Sequence, residues 1–189
     1  MGWVDKVPRT EGGGLYIGGL HALYQRQDLF RQYKISHIVS MLDFDIYEAG
    51  HFKDYKHMHV RIDDDPNENM LEHLEATSEF IENALSNGGA VFVHCAMGKS
   101  RSAAIVVAYL MLKYGKTPDE ALAQLCEGRP VCEPNPGFME QLDVYDHMLK
   151  AQSSSEYHKI YDDWLKDRDG TRDWYTDNRR RRRQHMPKL

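Results

Sequence analysis

The sequence predicts an α/β fold: a central, mainly parallel sheet flanked by helices. Short β-branched and apolar runs, at Leu15–Ile17, Ile38–Leu42 and Ala90–Val93, are separated by longer stretches in which apolar residues recur at helical spacing. Strands that alternate with helices in this way pair in parallel and carry the helices on their faces. Helix starts are marked by capping chemistry, at Asn69 with Glu72, at Thr117-Pro118-Asp119-Glu120 and at Asn135-Pro136.

Taken in order, Gly12-Gly13-Gly14 forms a flexible entry and Leu15–Ile17 a first strand. Residues 22–33 read as one helix with Leu29, Phe30 and Tyr33 on its apolar side. Ile38–Leu42 is a buried strand, and Met58–Ile62 alternates as another strand should. Residues 63–68 are a polar loop broken by Pro66. The helix that Asn69 caps carries Met70, Leu74, Ile81 and Leu85, and Gly88-Gly89 stops it. Ala90–Val93 is wholly apolar, and Ser102–Tyr114 reads as a helix buried nearly all round. Helices then start at Thr117 and at Asn135, the latter with Phe138, Leu142, Tyr145 and Leu149 on one face. Beyond Gln152 the pattern loosens: Ser153–Ser155 reads as a linker, Tyr157–Trp164 as a turn or two of helix, and the stretch from Asn178 as disordered. The expected division is an N-terminal extension over 1–13, a catalytic domain over 14–151 and a tail over 152–189.

The 189 residues, 41% hydrophobic and 28% charged, suit one soluble domain with a short extension. No stretch approaches the roughly 18 apolar residues of a membrane span, so no membrane contact is expected. The start, Met1-Gly2-Trp3-Val4-Asp5-Lys6, lacks the apolar run of a signal peptide and has Lys6 where a myristoylation pattern needs Ser or Thr. Three irregularly spaced cysteines, Cys95, Cys126 and Cys132, fit a reducing cytoplasmic or nuclear setting better than a disulfide framework. No Cys or His pairing has zinc-site spacing, and no metal or other cofactor is expected. Net charge is −5: from Lys150 onward 11 Lys and Arg stand against 7 Asp and Glu, which leaves the body clearly acidic. That balance argues against the body gripping nucleic acid. Arg179–Arg183 reads equally as a solvated end or as a nuclear address or nucleic-acid contact. A monomer is expected.

The chemistry concentrates in Val93-His94-Cys95-Ala96-Met97-Gly98-Lys99-Ser100-Arg101-Ser102, which runs from a buried strand through a tight loop into a buried helix. Backbone N–H groups of a helix's first turn lack partners and make an anion site, which the helix dipole reinforces. Ala96, Met97, Gly98, Lys99, Ser100 and Arg101 are therefore the candidate phosphate-binding residues. Gly98 lets the backbone curl tightly, and Arg101 offers a planar fork for two phosphate oxygens. A cysteine at the bottom of such a cradle becomes a thiolate, because the groups that hold phosphate also stabilise sulfur anion. An isolated cysteine is most often a small core residue, but here cysteine, glycine and arginine share one loop between the required elements. Gly98-Lys99-Ser100 does not complete a nucleotide-binding loop, since Val93 stands where that motif needs glycine. Any of Asp63, Asp64 and Asp65, on the polar loop, could serve as a general acid or be a solvated turn residue. Cys126 and Cys132 read as core or helix-surface residues ahead of redox partners to Cys95.

His-Cys, five residues, then Arg resembles the signature of the protein tyrosine phosphatase superfamily, and His94-Cys95-x-x-Gly98-x-Ser100-Arg101-Ser102 is similar to its dual-specificity branch over about residues 14–150. Val60-x-Ile62-x-Asp64, and Arg129 with Asn135-x-Gly137-Phe138 and Leu142, match further parts. The resemblance implies a phosphatase acting on phosphotyrosine and phosphoserine or phosphothreonine of a protein substrate through a phosphocysteine on Cys95. It implies Arg101 as the phosphate clamp and Asp64 as general acid, then base. Ser102 would donate to the sulfur, or simply cap the helix. His94 would orient the loop, or be a satisfied core histidine. Asn135 would brace the loop, with helix capping an equal explanation. Lys99 suits a second reading, a phosphatase of a polyanionic ester such as a phosphoinositide; a phospho-binding protein without turnover is a third. The chain resembles the atypical subgroup of fungi and animals with a zinc-binding tail, but the arginine run stands where those cysteines would be.

Overall fold

The computed structural model describes residues 2–46 and 53–168. Five strands form one sheet in the order β1-β2-β5-β3-β4. They are β1 (Val4–Lys6), β2 (Leu15–Gly19), β3 (Ile35–Met41), β4 (Lys56–Val60) and β5 (Ala90–Cys95). β1 pairs antiparallel with β2, and the other three pairings are parallel, so the sheet is mainly parallel as the alternation of elements predicts. The helices are α1 (His21–Gln25), α2 (Gln27–Gln32), α3 (Leu71–Ser86), α4 (Arg101–Tyr114), α5 (Pro118–Gly128), α6 (Pro136–Leu149) and α7 (Ser154–Arg168).

Side chains alternate across the strands, and both faces are covered. Ile17, Val39, Met41, Val91 and Val93 point into the larger core, beneath α3, α4, α5 and α6. Tyr16, Ile38, Ala90 and Phe92 point the other way, into a smaller core closed by Ala22 and Leu23 of α1 and Phe30 of α2. Every residue of α4 from Arg101 to Met111 is buried, because that helix lies between the sheet and α3, α5 and α6. Its all-round apolar composition is what such a central position demands.

The expected helix over 22–33 is two helices, broken at Arg26, whose backbone leaves the helical region (φ −131°, ψ 41°). Only Ala22, Leu23 and Phe30 are buried along it, so no continuous apolar stripe holds one helix together, and Arg26 turns to pair with Asp28. The strand expected at Met58–Ile62 starts and ends two residues earlier, which leaves Ile62 and the three aspartates to turn over the sheet's edge. Asn69 caps α3 through its Oδ1, which accepts from Glu72 N (3.3 Å), but the Glu72 carboxylate returns to the Asn69 side-chain amide rather than to its backbone. At Thr117 the full reciprocal capping box forms.

The segment over 1–13, expected as an extension, supplies edge strand β1. The Ser153–Ser155 run, read as a linker, begins a helix: Ser153 Oγ accepts from Glu156 N (3.1 Å). That helix, α7, is longer than expected, packs along α6 and buries Trp164. The arginine run and the stretch from Asn178 lie outside the described residues. Among the described residues no helix is long and apolar enough to cross a membrane.

Candidate active site

Parallel strands bring their carboxyl ends to one edge, where open α/β sheets bind ligands. β5 ends there at Cys95, β4 hands over there to Ile62 and Asp64, and β3 hands over to Asp43. The turn from β5 into α4 needs a left-handed residue, and Gly98 supplies it at φ +67°. A side-chain carbon on Gly98 would lie 2.2 Å from the Gly18 carbonyl, so the loop lies against β2 only because this residue has none.

The Cys95 sulfur accepts from Gly98 N (3.2 Å) and from Ser102 Oγ (3.3 Å). Burial pushes this thiol's pKa up, yet its pKa lies below the ordinary value. The hydroxyl and N–H of Ser102, the N–H of Lys99 and the Arg101 charge together outweigh the burial. The other two cysteines behave in the opposite way: burial pushes Cys126 up, and Cys132 to about 12. Neither is poised as an anion, in keeping with packing roles.

Arg101 is held by its tip. Its Nη1 donates to the Ile62 carbonyl (3.1 Å) and lies 3.8 Å from Asp43 Oδ1, while its buried Nε has no hydrogen-bond partner among the described residues. A buried guanidinium N–H left free beside a ring of amides is arranged to meet an anion's oxygen.

Of the three aspartates, Asp64 faces the loop. Its Oδ1 accepts from Ser100 Oγ (2.6 Å) and from Asn135 Nδ2 (3.0 Å). Asp63 instead accepts from Asp64 N, and Asp65 closes a turn by accepting from Asn67 N (2.8 Å). Asn135 does both jobs that its sequence context allows. Its Oδ1 caps α6 by accepting from Phe138 N (3.0 Å), and its own N–H donates to Ser100 Oγ (2.9 Å), so the loop, the aspartate and α6 share one network. Lys99 contributes its backbone; its side chain pairs with Glu133 (2.8 Å).

His94 lies fully buried under the loop, stacked on Phe92, with burial holding its imidazole neutral at a pKa of about 3. The Cys95 carbonyl, 3.3 Å from Nδ1, can only accept, so Nδ1 carries the proton and Nε2 accepts from Ser40 Oγ (2.5 Å). Ser40 in turn accepts from His57 Nε2 (2.6 Å), and burial keeps that ring neutral as well, near a pKa of about 4.

One group emerges with a function that its pattern did not disclose. Arg129, at the end of α5, is 3% exposed and reaches the outer side of the loop. Its Nε donates to the Gly98 carbonyl (2.7 Å), Nη2 to the Met97 carbonyl (3.0 Å), and Nη1 to Asp5 (2.6 Å) and the Gly2 carbonyl (3.0 Å). Carbonyls drawn outward leave the loop's N–H groups facing inward, toward the sulfur.

The family described as "Dual specificity phosphatase, catalytic domain" matches residues 15–148. Among curated relatives, Dual specificity protein phosphatase 1 of Arabidopsis thaliana is 38% identical over 78% of this chain and 73% of its own length. Tyrosine-protein phosphatase YVH1 of Saccharomyces cerevisiae is 33% identical over 77% of this chain, which spans only 45% of that protein. The crystal structure of the Yvh1 phosphatase domain from Chaetomium thermophilum superposes with TM-score 0.69 at 32% identity, covering 80% of this chain and 99% of that one. Human DUSP28 gives 0.70 at 33% identity over 80% of this chain and 97% of its own. The chain belongs to the dual specificity phosphatases, a family of cysteine-dependent protein phosphatases.

Proposed function

We propose that this protein removes phosphate from phosphotyrosine and phosphoserine or phosphothreonine of protein substrates through a phosphocysteine on Cys95. The observation that carries the reading is the Cys95 sulfur, which accepts from Gly98 N (3.2 Å) and Ser102 Oγ (3.3 Å) at the head of a helix whose first residue, Arg101, keeps a buried Nε without a hydrogen-bond partner among the described residues. In the first step the thiolate attacks phosphorus in line, the P–O bond to the substrate breaks, and Asp64 gives its proton to the leaving oxygen. Hydrogen bonds from Ser100 Oγ and Asn135 Nδ2 fix Asp64 Oδ1 and hold the carboxyl group beside the loop. The equatorial oxygens gather charge and meet the loop N–H groups and Arg101 Nε. In the second step Asp64, now a carboxylate, takes a proton from water, whose oxygen attacks phosphorus. The S–P bond breaks, Ser102 donates to the departing thiolate, and inorganic phosphate leaves.

The Lys99–Glu133 pairing gives the polyanionic-ester reading no support from the loop's side chains. A cytoplasmic or nuclear setting, a monomeric state and contact of the arginine run with nucleic acid remain expectations from the sequence. The test is Cys95→Ser beside the unaltered chain on a panel of phosphotyrosine, phosphoserine and phosphothreonine peptides and inositol phospholipids. Vanadate-sensitive hydrolysis of the peptides, lost in Cys95→Ser, is expected. Activity retained by the variant, faster turnover of the lipids, or tight phosphopeptide binding without turnover would overturn the reading.

A further inference from the structure

The N-terminal segment lies against the catalytic loop, and three contacts bring it there. β1 pairs with β2. At Gly18 a side-chain carbon would sit 2.2 Å from the Trp3 carbonyl and 2.9 Å from the Phe92 ring, so glycine is what admits the close approach. Arg129 then joins Gly2 and Asp5 on one side to Met97 on the other. The opposite wall is tied to the same loop, since Leu20 N donates to the Ala96 carbonyl (3.0 Å).

Between these walls lies an open groove of about 480 Å³, lined by Trp3, Leu20, His21, Ala22, Ala96 and Met97. Trp3 is 42% exposed and Met97 75%. Two large apolar side chains stand free along one groove beside a loop whose other flank carries Asp64, Ser100 and Asn135. Apolar surface gathered in this way marks a binding site, and the methionine's flexible thioether adapts to varied shapes.

We propose that this groove is a specificity subsite taking an aromatic or long aliphatic side chain of the substrate, close in sequence to the phosphorylated residue. The occupant follows from continuity. Ala96 and Met97 belong to the loop that receives the phosphate, so a chain whose phosphoresidue enters the loop passes the groove within a residue or two, at about 3.5 Å per residue. Trp3 precedes residue 15, where the family match begins, so this wall lies outside the matched domain. The subsite rests on the phosphopeptide reading of Cys95.

The experiment uses the full chain and a set of phosphotyrosine peptides. Phenylalanine or serine is placed in turn at each of the two positions on either side of the phosphoresidue. The readout is the phenylalanine-to-serine ratio of kcat/KM within each enzyme, so a general loss of activity cancels. The unaltered chain is expected to favour phenylalanine about tenfold at one position or more, mainly through KM, which is about 1.4 kcal/mol. The ratio is expected to fall toward one in Trp3→Ala and to be largely kept in Trp3→Phe, which retains an aromatic wall. A ratio near one in the unaltered chain, or one unmoved in Trp3→Ala, would overturn the subsite. Hydrolysis of a small aryl phosphate separates the two failures. If it proceeds without a flanking preference, only the subsite falls; if neither it nor any peptide is turned over, the phosphatase reading falls and the subsite with it.

Discussion

Arg129 offers a sharp test of how the loop is held. Arg129→Ala removes five N–H donors from a site that is 3% exposed, and leaves Asp5, whose side chain is 14% exposed, with no counter-charge among the described residues. Removing one member of a buried ion pair costs about 3–5 kcal/mol. Water can enter the space left and reach the Met97 and Gly98 carbonyls, which places the expected loss near the lower end, about 3 kcal/mol, read as a shift in the urea unfolding midpoint. The second consequence is catalytic. With those two carbonyls released, the loop N–H groups lose their common aim, and losing one such donor commonly costs about a hundredfold or more in kcat. Arg129→Ala is therefore expected to lower kcat on an aryl phosphate about a hundredfold. The Cys95 pKa, read from the pH dependence of its alkylation rate, is expected to rise. Arg129→Lys, which keeps a charge for Asp5 but loses the fork, falls between. A merely structural role would lower stability and leave the titration of surviving folded enzyme untouched. An unmoved Cys95 titration, with kcat within twofold of the unaltered chain, would refute the bracing role.

Two further outcomes follow from the same geometry. His94 is neutral in the folded protein, its pKa depressed to about 3 against about 6.5 when unfolded, so the unfolded chain takes up its proton first. The stability this group contributes is whole above pH 6.5 and drains as pH falls toward 3; at pH 5 the loss is about 2 kcal/mol. Urea unfolding at pH 7.5 and pH 5 should show a smaller drop in His94→Asn than in the unaltered chain, and equal drops would contradict the argument. Asp64→Asn keeps an oxygen to accept from Ser100 and Asn135 but removes the acidic proton. It should lower kcat about a hundredfold on phosphoserine peptide and much less on an aryl phosphate with a good leaving group, and equal losses on both would count against Asp64 as the acid.

Much of this site could be read from the chain because its parts are contiguous. Strand, loop and helix around Cys95 fall within residues 90–114, and the amide ring, the sulfur and the arginine are all set by local backbone geometry. Asp64 was one of three candidates by residue type, and only its bonds to Ser100 and Asn135 separate it from its neighbours. The Asn135 alternatives, cap or brace, were not exclusive: one amide serves both through different atoms. What escaped the sequence is held together across long separations. Arg129 meets Asp5 at a distance of 124 residues along the chain, and Ser40 meets His94 at 54, and neither pair leaves a periodic trace. β1, three residues long, is too short for alternation to register, and its pairing comes from β2 rather than from its own propensity. The break at Arg26 and the early start of α7 are boundary effects, decided by which few residues find a buried surface.

Phosphoryl transfer to the Cys95 sulfur is the step on which every other role depends. The most direct measurement is to quench Ser102→Ala during turnover of a phosphopeptide and locate the phosphoryl group by mass spectrometry under acid conditions. Loss of the Ser102 hydrogen bond to the sulfur is expected to slow the second step more than the first, so phosphocysteine should accumulate on the peptide that contains Cys95. Turnover with no phosphoryl on that peptide, or with the group on another residue, would contradict the mechanism.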